Sequence, residues 1–108
     1  MEKLYTREKL EIIAEGDMSF VRLMLETFVT SCREAVIEFR EAQSSLDFGV
    51  ANRTAHKIKP SVDTVVPSLS DLVRAVEVMD SSGDVALINE LIVPLGLSLD
   101  QIEEDLSQ

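Results

Sequence analysis

Apolar residues recur every three or four positions along nearly the whole chain, and that spacing leaves few folds open. The longest case is Val21, Met24, Leu25, Phe28, Cys32, Ala35, Val36 and Phe39. They fall on one stripe when successive residues turn by about 100°, the step of an α-helix. A half-buried strand would need apolar and polar residues in strict alternation, and no segment alternates in that way. The expected fold class is all-α.

Turn and cap residues divide this pattern into helices. A short first helix is expected from about Thr6 to Glu15, with Leu10 and Ile13 facing inward and Gly16 ending it. Asp17 then caps a long second helix to about Ala42. Beyond the "SSLD" turn, a third helix turns Phe48, Ala51, Ala55, Ile58, Val62 and Val65 inward and stops at Pro67. "SLSD" from Ser68 offers a cap for a fourth helix, whose inward residues are Leu69, Leu72, Val73, Val76 and Met79. The turn "DSSGD" precedes a last segment from Val85 to about Leu106, with Ile88, Leu91, Ile92, Leu95, Leu99, Ile102 and Leu106 on the helical repeat. Pro94 and Gly96 interrupt that segment. An interior proline removes a backbone hydrogen bond and costs about 3 kcal/mol, so a kink or break is expected there, with Ser98 and Gln101 able to cap a restart. Four amphipathic helices and a short leading one make an antiparallel up-down-up-down four-helix bundle the natural architecture. A length of 108 residues suits one core, so residues 1–108 are expected to form a single domain.

The balance of charge narrows the function. At pH 7 the formal net charge is −10, which argues against a nucleic-acid surface, because phosphate backbones are held by clustered Lys and Arg. No apolar run approaches the roughly 18 residues of a membrane span, and no signal peptide is visible behind "MEKLYTREK". The reading is a cytoplasmic protein, or a cytoplasmic piece of a larger one, without membrane contact. Cys32 is the single cysteine; it lacks neighbours suited to a metal and belongs to the core. A carboxylate metal bundle would need His and Glu paired three residues apart on facing helices, and the one histidine has no Glu three before it. No metal site and no cofactor are expected in this chain.

Between Asp47 and Asp63 there is no acid, while Arg53, Lys57 and Lys59 surround His56, the only histidine. Such a local basic patch on an acidic protein would suit a small anionic group better than a polyanion. By the helical period His56 projects roughly 130° from the centre of its helix's apolar stripe, which places it at the surface. Asn52, Lys59, Pro60 and Asp63 stand one and two turns from it along the same side.

The stretch "AHKIKPSVDTVV" resembles the signature of histidine phosphotransfer (HPt) domains: His, any residue, Leu or Ile, Lys, Gly, two small residues and a later hydrophobic one. His56, Ile58, Lys59 and Ser61 match it. The upstream "GDMSFVRLMLETFVTSCREAVIEF" is similar to the family's second helix, and nearly the whole chain fits its five-helix layout. Two positions depart: Pro60 replaces the usual Gly, and Val62 a small residue, on the apolar stripe. Pro60 has no N–H for the His56 carbonyl and is expected to loosen or bend the helix beneath the imidazole.

The resemblance implies a phosphocarrier in a two-component phosphorelay, phosphorylated on Nε2 of His56. It would take the phosphoryl group from a receiver-domain aspartate and pass it to another receiver, with no kinase activity of its own. The implied partners are receiver domains of response regulators or hybrid kinases, whose own carboxylates would hold the magnesium ion. Lys59 would balance the added charge with a charge-assisted hydrogen bond, whereas Asp63, about 10 Å along the helix, should matter little. A receiver closing over His56 would cover Asn52, Ala55, Lys59, Pro60 and Asp63, with Ile12 and Leu23 as apolar candidates beside them. The chain is expected to be a monomer. The alternative is a degenerate, unphosphorylated bundle that binds a receiver as a scaffold, a reading that Pro60 keeps open.

Overall fold

The computed structural model describes residues 3–80, 83 and 85–108, and among them no strand occurs. Five α-helices follow one another: α1 (Glu8–Ile13), α2 (Met18–Ser45), α3 (Phe48–Val65), α4 (Ser70–Val78) and α5 (Ala86–Leu106). A short 3-10 turn, Pro67–Leu69, joins α3 to α4. None of these helices is long and apolar enough to cross a membrane.

Local chemistry sets most of the boundaries. Asp17 Oδ1 accepts from the amides of Ser19 and Phe20 at 3.0 and 3.2 Å, satisfying donors that the first turn of α2 leaves over. Leu46 ends α2 in the left-handed region at φ 54°, and the next amide, that of Asp47, returns to the Ala42 carbonyl at 3.0 Å. Asp47 then caps α3 by accepting from the Val50 amide at 3.1 Å. After α1, Glu15 and Gly16 both take positive φ, and the Gly16 amide returns to Glu11.

The helices assemble around one buried cluster in which Phe39, Leu25, Ile88, Leu91, Leu95, Leu99 and Ile102 are the largest fully buried side chains. α2 packs on α3 and α5, and α4 on the same two helices. Cross-links between α2 and α5 run in opposite order along the two chains, from Arg22 with Leu106 through Arg33 with Asp100 and Glu103 to Gln43 with Asn89, so these helices are antiparallel. The N-terminal segment is tied across the same end. The Thr6 amide bonds the Val65 carbonyl at 2.8 Å, and the Tyr5 hydroxyl donates to Asp105 at 2.6 Å. Burial, then that hydrogen bond, raises the Tyr5 pKa to about 12. Cys32 is buried, as expected, and burial raises its thiol pKa to about 12.

Several sequence expectations need correction. α1 is only six residues long, and it buries Leu10 while Ile13 stays 58% exposed; one turn and a half offers a single inward position. α5 runs unbroken through Pro94 and Gly96. The reason is packing: each buried Leu or Ile is worth roughly 1.5–3 kcal/mol, so the buried row Leu91, Ile92, Leu95, Leu99 and Ile102 outweighs the proline penalty of about 3 kcal/mol. Ser98 and Gln101 therefore cap nothing. Ser98 donates to the Pro94 carbonyl at 3.0 Å, and Gln101 accepts the Leu4 amide at 2.6 Å. Ser68 does not cap α4, which has no side-chain cap and begins after the 3-10 turn that buries Leu69. The expected "DSSGD" turn lies mostly outside the described residues; of it, the Gly83 amide bonds the Asp80 carbonyl at 2.8 Å.

Candidate functional site

α3 presents His56 because its other side is consumed by packing. Ala51, Ala55, Ile58 and Val62 are buried, and His56, more than a quarter turn from that row, keeps 74% of its side chain exposed. α3 runs on through Pro60 to Val65 without a break.

α4 approaches this surface antiparallel to α3. Asn52 donates to the carbonyls of Val76 and Met79 at 2.9 Å each, satisfying acceptors at the C-terminal end of α4. At the opposite end, Asp63 accepts from Ser70 and pairs with Arg74 at 3.5 Å. Fixed at both ends, α4 turns Glu77 inward over α3. The Glu77 side chain is 18% exposed and meets His56 Nδ1 through Oε2. Lys59 Nζ grips the same carboxylate, 3.0 Å from Oε1 and 3.2 Å from Oε2. The hydrogen bond from His56, then the one from Lys59, holds the Glu77 carboxyl below the ordinary carboxylate range.

The expected strip is thus divided. His56 and Lys59 come together, but Lys59 points to Glu77. Asn52 and Asp63 anchor the two ends of the α3–α4 seam. Ala55 is fully buried, so it cannot touch a partner; its small side chain lies on the face by which α3 packs against its neighbours. Pro60 is exposed and edges a groove of about 550 Å³ between α3, α2 and α1, with Ile13, Phe20, Leu23 and Met24 among its walls. Of the two apolar candidates, Leu23 lines that groove, whereas Ile12 is exposed outside its lining.

The patch expected from an acid-free stretch of α3 is not uncompensated. Lys57 Nζ reaches both oxygens of Glu38 on α2 at 3.1 Å, and the buried Thr54 donates to that carboxylate at 3.0 Å. Together with Glu77, this places a carboxylate from a neighbouring helix against each of the two lysines. Sequence reasoning missed Glu77 and Glu38 because both lie outside that stretch. A usable signal for Glu77 is its place between the inward Val76 and the outward Val78, at the edge of the apolar stripe of α4.

A carboxylate can only accept, so the Nδ1 of His56 must donate to Glu77. In the neutral ring the lone pair then lies on Nε2. This arrangement can offer a nucleophilic nitrogen at the surface. Among the described residues no group of three or more His, Cys, Asp and Glu side chains could hold a metal ion. The chain matches no family model, no curated protein and no solved structure.

Proposed function

We propose that this chain is a histidine phosphotransfer module, a phosphocarrier that accepts a phosphoryl group on His56 from a receiver-domain aspartate and passes it to another receiver. The observation that carries the reading is the placement of the only histidine: an exposed imidazole in the middle of a packed helix, beside an apolar groove. In this reading α2 to α5 form the up-down-up-down bundle and α1 is the additional helix. The whole chain is one cytoplasmic, monomeric domain.

The chemistry asks little of the bundle. A neutral imidazole, with its lone pair on Nε2, is the attacking form and needs no separate base. The phosphorus is already activated as an acyl phosphate on the partner, whose own carboxylates hold the magnesium ion that neutralises the equatorial oxygens. The groove beside Pro60, with Leu23 and Phe20 exposed on its rim, supplies an apolar anchor for a partner, and desolvated apolar anchors account for most affinity at interfaces.

Incubation with phosphorylated receiver domains tests this. The wild-type chain should acquire an acid-labile, alkali-stable label, and His56→Gln should lose it while keeping its helical circular dichroism. Undiminished labelling of the Gln variant would overturn the reading. Receiver binding without any labelling of the wild-type chain would favour a scaffold instead.

A further inference from the structure

We propose that Pro60 makes the site selective among receivers: it leaves the backbone carbonyl of His56 without its helical partner, so a receiver that covers the imidazole must bring a hydrogen-bond donor for that carbonyl. The inference rests on the phosphocarrier reading and names what the partner has to supply. In an α-helix each carbonyl accepts from the N–H four residues on. For His56 that residue is Pro60, inside α3, and proline has no N–H to give. The neighbouring side-chain donors are committed elsewhere. Ser61 Oγ donates to the Ile58 carbonyl and Thr64 Oγ1 to the Pro60 carbonyl, each at 3.0 Å. Lys57 and Lys59 are held by Glu38 and Glu77.

Position gives this acceptor its consequence. Helix carbonyls point toward the C-terminal end, so this one opens from His56 toward Pro60; both residues are exposed, and Pro60 edges the apolar groove. In the free chain solvent satisfies the carbonyl. A receiver seated in the groove and closed over His56 displaces that solvent, and a carbonyl then left without a donor costs the complex its desolvation. A residue with an N–H at position 60 would pair the carbonyl within the helix, and the surface would make no such demand. Discrimination by an acceptor that must be paired penalises the wrong partner as well as rewarding the right one.

Because the chain has one histidine, histidine carrying 13C at its carbonyl gives a single isotope-edited amide infrared band that reports this group alone. In the free wild-type chain the band should lie apart from that of Pro60→Ala, in which the restored N–H pairs the carbonyl. On binding a receiver that phosphorylates the chain, the wild-type band should stay in the hydrogen-bonded range. Across a panel of receiver domains, Pro60→Ala should bind the best wild-type partner about fivefold more weakly, the worth of one hydrogen bond, and the poorest partners more tightly, so that the spread of affinities narrows. Pro60→Gly, which restores the N–H without a side chain, should do the same. Coincident bands in the two free proteins, a wild-type band that moves to the unbonded position in the complex, or an unchanged spread of affinities would overturn the inference. An unchanged spread beside normal labelling of His56 removes the inference alone, whereas a wild-type chain that no receiver binds or labels removes the phosphocarrier reading and the inference with it.

Discussion

Lys57 and Lys59 stand two residues apart on α3, and each is held by a carboxylate from a neighbouring helix, yet the two flanks they belong to differ in kind. On the α2 flank, Glu38 receives Lys57 and the hydroxyl of buried Thr54. Every group there is already paired within the protein, and the cluster can do little but join α3 to α2. On the α4 flank, Glu77 receives Lys59 and an imidazole whose other nitrogen is open to solvent. The same kind of ion pair has a buried hydroxyl as its third member on one flank and an exposed histidine on the other, and the proposed function places reactivity on the second. Salt bridges as such therefore say little about function; what distinguishes the flanks is the one group left with unused chemistry.

The sharpest way to break this comparison is to neutralise both carboxylates and follow phosphate acceptance. Glu77→Gln should slow it by about tenfold, because loss of tautomer control is costly to a reacting histidine, while Glu38→Gln should leave the rate close to wild type. Equal losses in the two variants would mean that the flanks are not functionally distinct. Next in size, Thr54→Val should lower stability by about 1 kcal/mol, the usual worth of one hydrogen bond, read as a shift in denaturant midpoint with acceptance unchanged. A slower rate in this variant would show that the α2 flank also serves the site.

The smallest effect is on acid stability. Glu38, mainly through Lys57, and Glu77, mainly through His56, both have carboxyl pKa values lowered from the ordinary 4.5. A lowered folded-state pKa contributes stability that is present above the unfolded value and lost as the pH falls through the folded one. Stability should therefore decline below about pH 4.5, and less steeply in either Gln variant than in wild type. Both pairs are partly exposed and screened by salt, so the difference between the curves should shrink as salt is added.

Much of the helical layout is legible in the sequence, for a physical reason: helix periodicity, Asp caps and turn residues act within a few positions of one another. The cap at Asp17 and the end of α2 near Leu46 depend on groups two to four residues away. Expectations failed where local preference met packing. Pro94 by its own chemistry should kink or break α5, and no break occurs because the buried row of α5 outweighs it; Ile13 stays exposed at the end of the six-residue α1.

At the site, the sequence by itself determined that a lone histidine would stand on the solvent side of α3, since the apolar stripe of Ala51, Ala55, Ile58 and Val62 leaves it nowhere else to point. It also determined that Lys59 would stand one turn away. Only the tertiary structure decided what these two groups face. Glu77 is 21 residues from His56 in the chain, and it reaches the imidazole because Asn52 and Asp63 fix α4 at both ends. Charge counted along the chain saw a stretch without acids. Charge in space falls off with distance and ignores chain order, so the two carboxylates folded in from α2 and α4 change the character of that surface.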